Sequence, residues 1–139
     1  MSGDPPLRPE LRPVLGAGER AELIERGVAL FNAGRFYDCH EAWETVWRST
    51  TPEPRDLWRG LIQVAVGFYH FHDRRRPDVA ARVLRKGAGR VEPFAPSGEG
   101  LDLAALLATV DAWVESLESG SAPRPGAPRL ERIRRGGAS

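Results

Sequence analysis

Cysteine is almost missing from these 139 residues: the one thiol, Cys39, excludes an intrachain disulfide framework and a cysteine-rich zinc site. Lysine is equally scarce, Lys86 standing alone among nineteen arginines. No apolar run approaches the roughly 18 residues that a membrane span takes. The N-terminus lacks a charged-then-apolar leader pattern. There is no glycine-rich phosphate loop, no nucleophile elbow and no recognisable nucleic-acid module. Together these absences predict a cytoplasmic protein with no membrane span and no dedicated nucleic-acid partner.

What is present suits one soluble globular domain. Hydrophobic residues make up 41% and charged residues 28%, enough for a core without staples. The net charge of +1 is unevenly spread. Residues 19–118 carry 13 basic and 16 acidic side chains, a balance of −3, while residues 119–139 set five arginines against Glu131. An arginine bias can signal phosphate recognition, since guanidinium binds phosphate bidentately. The interleaving with carboxylates favours instead the plain consequence of a GC-rich genome.

Proline-rich residues 1–18 predict an extended arm, laid on the surface through Leu7, Leu11, Val14 and Leu15. Residues 119–139, rich in Gly, Pro, Ser and Arg, predict a flexible basic tail, because Leu130 and Ile133 offer too little surface to offset ordering entropy. Between them, residues 19–118 show helical periodicity without strand alternation. The expected helices run from about Glu19 to Ala33, Phe36 to Ser49, Arg55 to Asp73, Asp78 to Val91, and onward from a cap at Asp102. The third is apolar on nearly every side and should be the central element. The predicted fold is all-α, a compact array of about five helices around an antiparallel hairpin. Gly27, Leu30, Gly34, Phe36, Cys39 and Trp43 weakly echo tetratricopeptide pairing.

Several polar residues interrupt the apolar faces. His40 lies within the stripe of Phe36, Cys39, Trp43, Val46 and Trp47, and Glu44 follows it one turn later. On the third helix, Arg59, Gln63 and His70 share an edge, and Gly60 and Gly67 suggest a closely packed neighbour. If helices two and three are antiparallel, His40, Glu44, Gln63 and His70 converge inside an aromatic wall. Three readings of that convergence stand: a structural hydrogen-bond network, a transition-metal site on His40, Glu44 and His70, or a metal-free pocket that binds a small molecule or does acid/base work. The metal reading is disfavoured, since neither the second histidine of a zincin helix nor the ExxH of di-iron bundles is present. The candidate catalytic set is His40, Glu44 and His70, and the candidate binding set is Gln63, Arg59, Glu41 and Trp47. The alternative is a protein–protein interaction module using a hairpin groove or exposed aromatics such as Trp58 or Trp113.

Phe31-Asn32-Ala33-Gly34-Arg35-Phe36, His40-Glu41 with Glu44 and Trp47, Gly60 to Ala65, and Tyr69-His70 resemble the signature of a bacterial and archaeal family, domain of unknown function 309. The resemblance covers about Glu19 to Val91 and implies a small all-α fold. Its characteristic polar positions fall on His40, Glu41, Glu44, Gln63 and His70. The chain departs from that family at Arg74-Arg75-Arg76-Pro77. The resemblance implies no activity.

Overall fold

Proline and glycine set most of the boundaries in the computed structural model, which describes residues 15–50, 52–120 and 124–133, with backbone only at 52 and 53. The expected N-terminal arm lies almost wholly outside the described residues. Five α-helices follow in order: α1 (Ala17–Asn32), α2 (Phe36–Ser49), α3 (Pro52–His72), α4 (Pro77–Val91) and α5 (Leu103–Ser119). The fold is all-α. Gly34, at φ +79°, ends α1 in the left-handed conformation that glycine adopts without steric cost, and Arg35 N–H donates back to Leu30 O at 2.8 Å. Asp102 caps α5, its carboxylate accepting from Ala105 N–H at 3.0 Å. Helix α3 starts three residues before the expected Arg55, with Pro52 and Pro54 in its first turn, because the earliest helical positions need no backbone donor.

Helices α1 and α2 pair across a short connection, with Phe31 against Phe36 and Gly27 against Trp43. Gly27 is there because of Trp43: a Cβ would fall 2.0 Å from its Nε1. The indole, fully buried, stacks beside Phe31 at 6.0 Å and meets Trp58 edge-on at 5.8 Å. Helix α3 is the central element, burying Leu57, Trp58, Leu61, Val64, Ala65 and Phe68. Its closest partner is α4. Gly60 and Gly67 face Gly87, Val91 and Leu84, so close that a Cβ at Gly60 would lie 2.8 Å from Arg90 Cβ and one at Gly67 2.7 Å from Leu84.

Two features escape helical periodicity. Strands β1 (Ser97–Gly98) and β2 (Leu101–Asp102) pair antiparallel around Glu99-Gly100, whose φ angles of 54° and 76° are those of a primed hairpin turn. A glutamate in the left-handed region costs about 1–2 kcal/mol. Its carboxylate offsets that cost by accepting from Trp58 Nε1 at 3.0 Å and from Arg20.

The second is the segment 124–133, which lies against the body through hydrogen bonds. Asn32 is the reason, since its amide mimics a strand edge, donating to Leu130 O at 3.0 Å and accepting from Leu130 N–H at 2.7 Å. Leu130 is buried, Glu131 O accepts from Asp102 N–H at 2.9 Å, and Trp113 Nε1 donates to Gly126 O at 3.2 Å. Directed backbone hydrogen bonds anchor what apolar area alone would not.

Candidate functional site

Residue His40 enters the α2–α3 seam from the middle of α2, where its spacing of four from Phe36 and three from Trp43 carries it to the edge of the apolar stripe. Val66, Tyr69 and His70 reach the same seam from the second half of α3, opposite Phe36 and Tyr37. These six residues line a cavity of about 170 Å³. Tyr37 packs against His40 at 5.4 Å and against Tyr69 at 5.6 Å between ring centroids. The wall is almost wholly apolar, broken by two imidazoles.

The imidazoles differ. His40 Nε2 lies 3.9 Å from Glu44 Oε2, and Glu44 is also 3.8 Å from Arg48. His40 Nδ1 is buried with no hydrogen-bond partner among the described residues. Buried polar atoms are normally satisfied, so this nitrogen marks a place where a group is wanted. Burial holds the His70 pKa below the ordinary histidine value, and the charges of Arg74 and Arg76 push it the same way. His70 is therefore a neutral imidazole at neutral pH, able to donate from one nitrogen and accept at the other.

The predicted four-residue convergence does not form. His40 and His70 share the cavity and Glu44 stands behind His40, but Gln63 turns to α4. Its Oε1 accepts from Arg90 Nε at 3.0 Å, and Arg90 is tied in turn to Asp56 at 2.9 Å. A charged donor outcompetes the apolar seam for the amide. Arg59 is exposed on the same helix. Glu41 faces a different cleft, shared with Leu23, Arg26 and Arg35. Trp47 lies half-buried under the Arg55 guanidinium, 4.3 Å from the ring centroid. Trp58 and Trp113 are buried, so neither is the exposed aromatic that an interaction surface would use; among the large apolar side chains described, Tyr37 and Ile133 are exposed.

The metal alternative on His40, Glu44 and His70 finds no support in the arrangement. Among the described residues no three His, Cys, Asp or Glu side chains are grouped to hold an ion. Cys39 is a fully buried thiol whose pKa burial raises well above the usual range, which makes it a core residue and not a nucleophile. The sequence reading missed Tyr37 and did not single out Tyr69 as a site residue. Their signal was present: Tyr37 stands three residues before His40, and Tyr69 adjoins His70.

Residues 24–83 match the model of a family described as Domain of unknown function (DUF309). A protein of Bacillus subtilis (strain 168), "Uncharacterized protein YpuF", is 35% identical over 97 residues, covering 66% of this chain and 55% of the relative. An "Uncharacterized protein" of Aquifex aeolicus (strain VF5) is 27% identical over 111 residues, covering 79% of this chain and 33% of the relative. The chain thus spans about half and about a third of these relatives' lengths, and neither name carries an activity. No described helix is long and apolar enough to cross a membrane.

Proposed function

From a chain whose residues 24–83 match the DUF309 model, we propose a small-ligand-binding helical module whose site is the cavity between α2 and α3. The observation that carries this reading is the buried, unpartnered Nδ1 of His40, a residue that lines one cavity together with His70. An apolar cavity with a few polar groups is the usual form of a small-molecule site. Tyr37, Tyr69, Phe36 and Val66 supply contact area, His40 and His70 supply the directional bonds, and Glu44 orients His40. A neutral His70 is also a competent proton acceptor, so acid/base work on the bound molecule is within reach of the same residues. We assign the protein to the cytoplasm, where a buried free thiol such as Cys39 stays reduced.

The test uses phenol, a ring of suitable size bearing one hydroxyl donor, and the double variant His40→Phe with Glu44→Leu. Phenol should move the His40 and His70 ring signals in the parent and fail to bind the variant. The variant should melt at or above the parent temperature, because apolar packing of a site kept polar for function is neutral or stabilising. A large loss of stability in the variant, with no phenol effect on the parent, would make these residues a structural network and overturn the reading.

A further inference from the structure

The α3 residues that line the cavity, Val66, Tyr69 and His70, are followed within a few positions by three consecutive arginines, Arg74, Arg75 and Arg76. Among the described residues, Arg20, Arg35, Arg48, Arg85, Arg90, Arg129 and Arg132 each pair with a carboxylate, whereas Arg26, Arg59 and Arg82, scattered over three helices, do not. Arg74, Arg75 and Arg76, in the turn from α3 to α4, are exposed and make no side-chain hydrogen bond or ion pair among the described residues. The neighbouring Asp73 is taken by His72 at 3.0 Å, and Asp78 lies in the first turn of α4.

The turn caps the end of α3 that carries two of the lining residues. Arg74 N–H donates to Tyr69 O at 3.2 Å and Arg76 N–H to His70 O at 2.8 Å, so the two arginines rise from the backbone that also carries Tyr69 and His70. Their charges are felt at the His70 ring. An apolar cavity whose His70 feels the charge of two exposed arginines in the adjoining turn suits a particular kind of molecule. Carboxylate and phosphate are the groups that guanidinium binds bidentately.

Building on the pocket reading above, we propose that its ligand is a small amphiphilic anion: an apolar body seated among Tyr37, Val66 and Tyr69, with a carboxylate or phosphate held at the mouth by Arg74 and Arg76. His70 stands between the two regions and bonds the ligand as a neutral imidazole. Arg75, between the two clamping residues, adds charge that draws anions to the mouth without being needed for the contact.

The experiment titrates the full chain with benzoate, its neutral counterpart benzamide, and inorganic phosphate, following the His40 and His70 ring signals. Benzoate should move both rings and bind about tenfold tighter than benzamide at low salt, as a charge-assisted pair contributes. Arg74→Gln with Arg76→Gln should remove that preference and leave benzamide unchanged. Val66→Trp should abolish both by filling the cavity, and phosphate alone should leave the His40 ring unmoved. Equal binding of benzoate and benzamide overturns the anion assignment while the pocket stands. Benzoate binding that ignores Val66→Trp, or that phosphate reproduces at His40, reduces the arginines to a surface charge and also overturns it. If neither arene moves the rings, the pocket reading falls and the proposal falls with it.

Discussion

Replacing Gly27 by alanine sets two effects of opposite sign against each other. Alanine favours a helix interior over glycine by about 1 kcal/mol, so at an open position the change stabilises. At Gly27 the new methyl would sit 2.0 Å from Trp43 Nε1, 2.4 Å from Cδ1 and 2.7 Å from Cε2. Ordinary contact is about 3.5 Å or more, so roughly 1.5 Å of displacement is needed. The indole cannot swing aside, because Phe31 stacks on it, Trp58 abuts it and no part of it is exposed. The helices must separate instead. Overpacking of this kind costs about 1–3 kcal/mol and occasionally more, and a fixed ring places this case at the upper end. The expected net loss is about 2 kcal/mol, or a melting temperature lower by about 6–8 °C for a chain of this size. Gly89→Ala is the internal control. Nothing lies within 4 Å of that position on α4, so it should gain up to about 1 kcal/mol. Chemical denaturation of both variants, followed by circular dichroism, decides the matter. A Gly27→Ala protein as stable as the parent, beside a stabilised Gly89→Ala, would refute the packing account of the α1–α2 pair.

Other expectations follow from single contacts. Asn32→Ala removes both bonds to Leu130 and should cost about 1–3 kcal/mol; limited proteolysis should then cut within residues 124–133 while sparing the helices. Glu99→Ala keeps the strained turn but leaves the Trp58 indole without its acceptor and Arg20 with Thr50 alone, with a similar expected loss; Glu99→Gly relieves the left-handed strain and should lose measurably less in the same denaturation assay. Because His70 titrates below its unfolded value near 6.5, the unfolded chain takes up that proton first. Its share of stability is constant above that value and falls as pH drops from there to the lower folded pKa. His70→Gln should flatten this part of the stability–pH curve, and an unchanged slope would remove His70 as its source.

The helices were legible because their faces are regular. Leu61, Val64, Ala65 and Phe68 announce a buried α3, and Gly60 with Gly67 announces a close neighbour. Periodicity fixes which residues share an edge of one helix, but not which neighbour that edge faces. Gln63 and His70 therefore looked equivalent, yet Arg90 draws one to α4 while the other stays with α2. Apolar counting also undervalues directed bonds. The basic segment looked too poor in hydrophobic residues to dock, yet an asparagine amide 98 residues away bonds both sides of Leu130, with Asp102, Gly100 and Trp113 adding backbone-directed bonds beside it. The hairpin at Glu99 was invisible because two-residue strands leave no alternation to read. The departure at Arg74 to Pro77, by contrast, was plain in the sequence. Only its position beside Tyr69 and His70 gave it meaning.

The glycines of the α3–α4 seam have a mechanical consequence. Where backbone meets backbone, as at Gly60 O and Gly87, neither helix can roll or slide without collision, so the two behave as one stiff plank. The seam between α2 and α3 lacks that interlock over its outer half, where Tyr37 is exposed and Val66, Tyr69 and His70 are half-buried. The expected breathing is therefore one-sided, with α2 moving against α3 and Tyr37 at the edge that opens, which hydrogen exchange can check. Amide protons in α3 and α4 should be the last to exchange, and those around Tyr37 among the first in α2. A molecule entering the cavity would then meet a fixed wall bearing His70 and a yielding one bearing His40.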